Sequence, residues 1–315
     1  MRLSIIKCHG SGNDFPLIDA RELTLSDAAW AGVARALADR AGPVGGDGLL
    51  LFLNGDATHP IGFRMFNPDG SEAETCLNGV RCVARAGFAA LGVEAAGVRL
   101  AGSLADAARD TPLASGVYTV RETAGPVTLD VARWPLDIGA ERIIEAVVPP
   151  LGDRLFTALA IPNPHLVHFT DAVDEDELVR IGRLCEAAPD WLPNRANVSF
   201  VVVRPDSLFV RTFERGVGLT NSCGSAMAAS TYAACLTGRW AYDRPVTVLN
   251  RGGLVRAAAT ADAMVTLSGN ATFEWQGEVT VDSATDTAGD LVVTARFDDE
   301  VAAWAGVVTQ AAAFR

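Results

Sequence analysis

Apolar residues gather in short runs broken by glycine, asparagine and aspartate. These runs predict strands at residues 1–7, 48–53, 63–66, 197–203 and 208–213. Two stretches keep a different rhythm. After Cys76, the residues Val80, Val83, Ala84, Gly87, Phe88 and Leu91 recur at the i, i+3, i+4, i+7 spacing of one helix face, and Gly92 ends the run. After Cys223, Met227, Ala228, Thr231, Ala234 and Cys235 do the same until Gly238. Both helices are rich in alanine and other small residues, which predicts deep burial. Residues 101–124 are polar and without clear period, and read as an inserted loop. Residues 127–136 resume strand character. After Asp282 a polar break is followed by a strand-like stretch and an alanine-rich helical tail, to which the sequence assigns no role.

The pattern is duplicated. Arg64 and Arg211 stand 147 residues apart, as do Phe66 and Phe213, Asn67 and Glu214, and Cys76 and Cys223. Upstream the offset becomes 150, matching Asn13-Asp14-Phe15 with Asn163-Pro164-His165 and Asp47 with Asn197. The expected architecture is therefore α/β (α+β), with two pseudo-symmetric domains from an internal duplication. Their expected bounds are 1–125 and 126–274, with residues from about 275 to 315 packing back on the first.

Composition narrows the classes of function. A chain of 315 residues, 49% of them hydrophobic, has enough apolar surface for a large core. A net charge of −12 argues against a nucleic-acid partner, which would need concentrated Lys and Arg. No apolar run reaches membrane-spanning length and the first residues read as a strand, so a cytoplasmic location is expected. The six cysteines lack zinc-pair spacing, so no metal is expected, and they read as reduced thiols. Cys8, Cys82, Cys185 and Cys235 fit small core residues.

Cys76 and Cys223 are different, because each opens a helix at the same place in its repeat. A helix N-terminus presents unpaired N–H groups and partial positive charge, which predicts a lowered thiol pKa and donors for a carboxylate ligand. Asn78 and Gly79 after the first thiol, and Gly224 and Ser225 after the second, would offer those donors at close range. Two thiols working on opposite faces of one carbon would meet the requirement for inverting a stereocentre. His165 and Glu214 are candidate bases, one for each thiol. Asn13, Asn67, Asn163, Asn197 and Arg215 form the polar remainder. Asn13 and Asn67 also fit ordinary turn chemistry, and Arg215 a surface ion pair; an arginine fork equally suits a substrate carboxylate. The glycine-rich segment 42–48 lacks the Lys-Ser/Thr of a phosphate loop and reads as a turn into the next strand.

Seven segments together resemble the diaminopimelate epimerase family of cofactor-independent amino-acid racemases. They are His9-Gly10-Ser11-Gly12-Asn13-Asp14-Phe15, Gly45-Gly46-Asp47-Gly48-Leu49-Leu50, Asn67-Pro68-Asp69-Gly70-Ser71-Glu72-Ala73-Glu74, Asn78-Gly79-Val80-Arg81-Cys82, Asn163-Pro164-His165, Arg195-Ala196-Asn197-Val198 and Glu214-Arg215-Gly216-Val217-Gly218. The resemblance implies two similar domains, each a curved sheet or barrel around a central helix, with the active site in the cleft between them. It implies inversion of one α-carbon of LL-diaminopimelate to the meso isomer, a step toward lysine and peptidoglycan precursors, with no cofactor. It also implies that Cys76 and Cys223 are the acid/base pair, that His165 and Glu214 support them, and that Asn13, Asn67, Asn197 and Arg215 hold the distal amino-acid end. The implied partner is a small amino acid, and a homodimer is a further expectation for the chain.

The chain departs from the family pattern at Leu77, Pro162, Leu219 and Ala226. Leu77 and Leu219 keep a second reading open, a related racemase acting on another amino acid such as histidine. A binding protein that has lost catalysis would not need both thiols and both bases. A thiol redox protein would be expected to carry a Cys-x-x-Cys pair, which this chain lacks.

Overall fold

The computed structural model describes residues 1–73 and 75–312; Glu74, the last residue of one family-like segment, lies outside the described residues. It divides into two compact units. One comprises Met1–Glu122 and Ser268–Thr309, and the other is built on Thr123–Leu267.

The first unit opens with β1 (Arg2–Gly10) and β2 (Asn13–Asp19), followed by α1 (Asp27–Ala38), β3 (Leu49–Asn54) and β4 (Ile61–Phe66). Then come α2 (Leu77–Leu91), β5 (Ala95–Arg99), β6 (Leu104–Arg109) and β7 (Thr119–Ala124). The strands pair in a fixed sequence: β1–β2 antiparallel, β2–β3 parallel, β3–β4 antiparallel, β4–β5 parallel and β5–β6 antiparallel. α2 packs against all six of those strands. Its Val80, Val83, Ala84 and Phe88 meet Leu50, Phe63 and Val98 in the core.

The second unit repeats this order. After β8 (Ala146–Val147) come β9 (Leu155–Ala160), β10 (Pro164–Phe169), α3 (Glu175–Glu186), β11 (Asn197–Val203) and β12 (Ser207–Glu214). A short β13 (Gly218–Thr220) leads to α4 (Gly224–Leu236), β14 (Val246–Asn250), β15 (Gly253–Ala259) and β16 (Val265–Asn270). The pairings β9–β10, β10–β11, β11–β12, β12–β14 and β14–β15 alternate antiparallel and parallel as in the first unit. α4 packs against strands of its own unit as α2 does. Every residue from Gly224 to Cys235 is buried. With no solvent face to maintain, this helix carries no charged residue, and its polar side chains are the hydroxyls of Ser225, Ser230, Thr231 and Tyr232.

Strand register shifts one expected correspondence. Leu17 pairs with Leu50 and Val167 with Ser199, while Leu51 pairs with Arg64 and Phe200 with Arg211. Both registers give an offset of 149 over β3 and β11, so Asn197 matches Gly48 rather than Asp47. A one-residue slip reverses which face a side chain occupies, so this correction matters for the site.

Two other expectations fail. Residues 101–124 are not a loop: they carry β6 and β7, with Ala105 and Ala107 turned inward and Leu104 outward. Residues 127–136 do not form a strand. A short 3-10 turn at Val131–Arg133 interrupts them, capped by Asp130, and only Thr128 bridges to a strand, at Ala160.

The tail adds β17 (Thr272–Asp282), β18 (Thr287–Arg296) and α5 (Asp298–Ala312). β17 pairs antiparallel with β1 on one side and with β18 on the other. The turn joining them docks on α1: Arg35 grips Asp286 through two bonds of 2.6 and 3.0 Å, and a Cβ on Gly32 would lie 2.2 Å from Ser283 O. No helix among the described residues is long and apolar enough to cross a membrane.

Candidate active site

In the first unit Cys76 is the N-cap residue of α2, in extended conformation, and its sulfur accepts from Gly79 N at 3.4 Å. The thiol also reaches Asn13 Oδ1, at 3.8 Å. Asn78 Nδ2 donates to the same oxygen at 3.3 Å, while Asn13 Nδ2 donates to Asp47 Oδ2 at 2.6 Å. The Asn13 amide is thereby fixed with its oxygen toward the thiol. The β1–β2 turn makes this contact available: Ser11 and Gly12 both have positive φ, 54° and 79°, as in the tight turns that suit the strand twist. The end of β1 comes so close to α2 that a Cβ on Gly10 would lie 2.7 Å from Asn78 O.

Under these residues lies a charged group that sequence reasoning missed. Arg81 is fully buried and donates to Glu122 Oε1 at 2.6 Å, Asn78 Oδ1 at 2.6 Å and Asn270 O at 3.1 Å. Burial raises the Glu122 carboxyl to about 7, with Arg81 opposing. Arg81 thus orients Asn78, which in turn orients Asn13. Its place in Asn78-Gly79-Val80-Arg81, three residues after Asn78 on the same helix, was the available signal.

Among the described residues, Asn67 bonds within its own loop rather than to this group. It closes its own turn, with Nδ2 on Ser71 Oγ at 3.0 Å and its carbonyl receiving Gly70 N at 2.9 Å. The Gly79 amide faces the Cys76 sulfur at the start of α2.

In the second unit Cys223 caps α4 but makes no side-chain cap bond. Its sulfur lies 3.5 Å from Ser225 Oγ, and Glu214 is its carboxylate neighbour. Thr220 Oγ1 donates to Glu214 Oε1 at 2.6 Å. Burial, with the Glu214 charge adding to it, pushes the Cys223 thiol well above the usual range; Ser225 and the Ala226 amide act the other way without prevailing. The expectation of a lowered pKa at this helix start is therefore corrected. The partial positive charge of a helix end is small beside the cost of ionising a buried sulfur next to a carboxylate.

His165, on β10, is fully buried, with Nε2 3.2 Å from Asn163 Oδ1 and 3.5 Å from Asn197 Nδ2. Its Nδ1 has no hydrogen-bond partner among the described residues. Burial, aided by the Arg215 guanidinium, lowers its pKa to about 3. Asn197 Oδ1 accepts from Arg215 N at 2.9 Å, and Arg215 Nη1 donates to Asn194 O at 3.2 Å. Asn163, His165, Asn197 and Arg215 thus form one cluster, made possible by the parallel register that sets His165 beside Asn197. Of the departures from the family pattern, Leu77 is buried, whereas Leu219 is 36% exposed in β13.

A family model described as diaminopimelate epimerase matches residues 5–106 and 157–274. The chain is 38% identical over 290 residues to the diaminopimelate epimerase of Clostridium acetobutylicum, covering 90% of this chain and 87% of that protein. It is 36% identical over 294 residues to that of Listeria innocua, covering 89% of each. Among solved structures, a hydroxyproline epimerase from Agrobacterium vitis matches with a TM-score of 0.63 at 15% identity, over 90% of this chain and 92% of that one. A phenazine biosynthesis protein of Bacillus anthracis matches with a TM-score of 0.62 at 13% identity, over 89% of this chain and all of that one. These structural likenesses concern the fold. With the family model spanning both units, and relatives above one-third identity over nearly the whole length, the chain belongs to the diaminopimelate epimerase family.

Proposed function

We propose that the chain is a diaminopimelate epimerase, inverting one α-carbon of LL-2,6-diaminopimelate to give the meso isomer by proton transfer to and from two thiols. The observation that carries this reading is a cysteine at the cap of the central helix in each of two units with the same strand order, in a chain of this family.

Inversion needs a base on one face of the α-carbon and an acid on the other, and we assign these roles to Cys76 and Cys223. In one direction Cys76, as thiolate, removes the α-proton while the Cys223 thiol gives its proton to the opposite face. In the other direction the roles exchange. Cys223 suits the acid role because burial and Glu214 keep it protonated at neutral pH. When it must act as a base, Glu214 is the adjacent group that accepts its proton. The helix N-termini stabilise negative charge developing on the substrate carboxylate. His165, held neutral, supports proton transfer, and Asn13, Asn67, Asn197 and Arg215 hold the distal amino-acid group. Asn78, Gly79, Asn163, Gly224 and Ser225 complete the surroundings. A biosynthetic step on a small amino acid, run by reduced thiols, fits a cytoplasmic enzyme.

The test is a comparison of α-proton exchange in heavy water between LL-diaminopimelate and L-lysine. A site built to pair a second polar head group rejects an analogue lacking it by roughly 10⁴-fold, because its own buried groups are left unpaired. Diaminopimelate should exchange faster by about that factor. Faster exchange with lysine or histidine would overturn the substrate assignment and favour the reading that Leu77 and Leu219 suggest.

A further inference from the structure

The family match ends at residue 274, yet the chain continues as most of β17, then β18 and α5. α5 is fastened to the helix that Cys76 caps. Glu300 takes Arg85 of α2 through two bonds of 2.5 and 2.7 Å, and Phe297, just before α5, packs edge-on against Phe273 at 6.0 Å. Arg85 also donates to Ala271 O at 2.7 Å and lies 3.9 Å over the Phe273 ring.

One turn further along α5, Trp304 is buried at 4% exposure, with its ring 6.0 Å from that of His9. His9 Nδ1 accepts from Gly12 N at 3.3 Å and lies 3.1 Å from Asn270 Nδ2, while Asn270 Oδ1 accepts from Ser11 N at 2.7 Å. These bonds hold a turn in which Ser11, a residue with a side chain, has positive φ. Such a conformation persists only where its surroundings enforce it. Burial lowers His9 to about 4, so Nδ1 remains an acceptor at neutral pH. The residue after this turn is Asn13, whose oxygen meets the Cys76 thiol.

We propose that the C-terminal strand and helix form a positioning element for the first thiol, with Trp304 seated on His9 to fix the Ser11-Gly12 turn and, through it, the Asn13 amide facing Cys76. The inference rests on the assignment of Cys76 as an acid/base. Trp304 acts on the thiol through His9 and the turn. A small displacement of a reacting group costs a large factor in rate, so even a modest loosening of this turn should register in turnover.

The experiment uses the full chain and compares Trp304→Ala, Trp304→Phe, Glu300→Gln and Cys76→Ala with the parent. It measures kcat/KM for diaminopimelate, the melting temperature, and the iodoacetamide alkylation rates of Cys76 and Cys223, resolved by peptide mass mapping. For Trp304→Ala, kcat/KM should fall about tenfold or more. Cys76 should alkylate severalfold faster as Asn13 and the turn move off it, while Cys223 keeps its rate. Trp304→Phe should restore both, since it keeps an aromatic ring against His9. Unchanged kcat/KM and an unchanged Cys76 rate in Trp304→Ala would overturn the proposal. So would an equal acceleration of both thiols, which is the signature of general loosening. If Trp304→Ala does not fold, Glu300→Gln carries the test through a smaller acceleration at Cys76 alone, and no acceleration there overturns the proposal. Cys76→Ala separates the two levels. Near-parental turnover in that variant sinks the acid/base assignment itself, whereas an inactive Cys76→Ala beside a fully active Trp304→Ala sinks only the positioning role.

Discussion

The two cysteine-capped helices hold equivalent places in units of the same strand order, yet their thiols keep different company. Cys76 sits half-buried among amides: Gly79 N, Asn13 Oδ1 and, through Asn13, Asn78. Cys223 is buried beside a carboxylate and a hydroxyl. Burial is one source of the difference, and one repeat position is another. Where the second unit has Glu214 next to its thiol, the first has Asn67, whose side chain is turned into its own loop. Duplication supplied two matched scaffolds, and changes at neighbouring residues then made the thiols unlike. A two-base inversion benefits from that asymmetry, because at any moment one sulfur must hold a proton and the other must lack it. Two identical surroundings would favour the same protonation state in both.

Removing the carboxylate should be the most damaging way to erase this contrast. Glu214→Gln leaves Cys223 buried without a nearby proton acceptor, and kcat should fall roughly 10²- to 10³-fold, as for loss of a general base. Steady-state epimerisation kinetics check this, and a near-parental kcat would mean that Glu214 serves only to hold Thr220. A smaller effect is expected on the other side. Asn13→Ala removes one neutral hydrogen-bonding side chain next to Cys76, so kcat/KM should fall about tenfold. A loss as large as that of Glu214→Gln would erase the distinction between the two surroundings.

The contrast also extends to stability. His9 in the first unit and His165 in the second are both neutral when folded, with pKa values lowered to about 4 and about 3. The unfolded chain binds protons at these positions below about pH 6.5, and the folded chain does not until far lower pH. Stability is therefore present above that pH and is lost as the pH falls. Each histidine should contribute a loss of about 2 kcal/mol between pH 7 and pH 5. Urea unfolding at the two pH values measures the total, and His9→Gln and His165→Gln should each remove about half of this histidine contribution. A variant retaining the full acid sensitivity would show that its histidine is not the group responsible.

Much of this was legible in the chain. The helix after Cys76 showed itself through Val80, Val83, Ala84 and Phe88, because an amphipathic helix writes its period into the sequence. The family segments around Asn13, His165 and Glu214 marked the residues that the structure clusters within each unit. β6 was hidden because its inward positions, Ala105 and Ala107, carry little strand signal, and β7 because one of its inward positions is the charged Glu122. The Arg81–Glu122 pair was hidden because its partners lie 41 residues apart and arginine is ordinarily exposed. The displaced anchor at Gly48 shows a further limit: matching residue types across a repeat leaves an uncertainty of one position that only strand pairing resolves. The state of Cys223 was misread because a helix start was weighed without the burial around it.

The central claim is that both thiols are needed for inversion. Parent, Cys76→Ala and Cys223→Ala proteins should each be incubated with LL-diaminopimelate in heavy water, with meso product and α-deuterium followed by chiral chromatography and mass spectrometry. The parent should form meso product carrying deuterium at the inverted carbon, and each variant should lose inversion by about 10³-fold or more while retaining its fold by circular dichroism. Inversion at close to the parental rate by either folded variant would contradict the account.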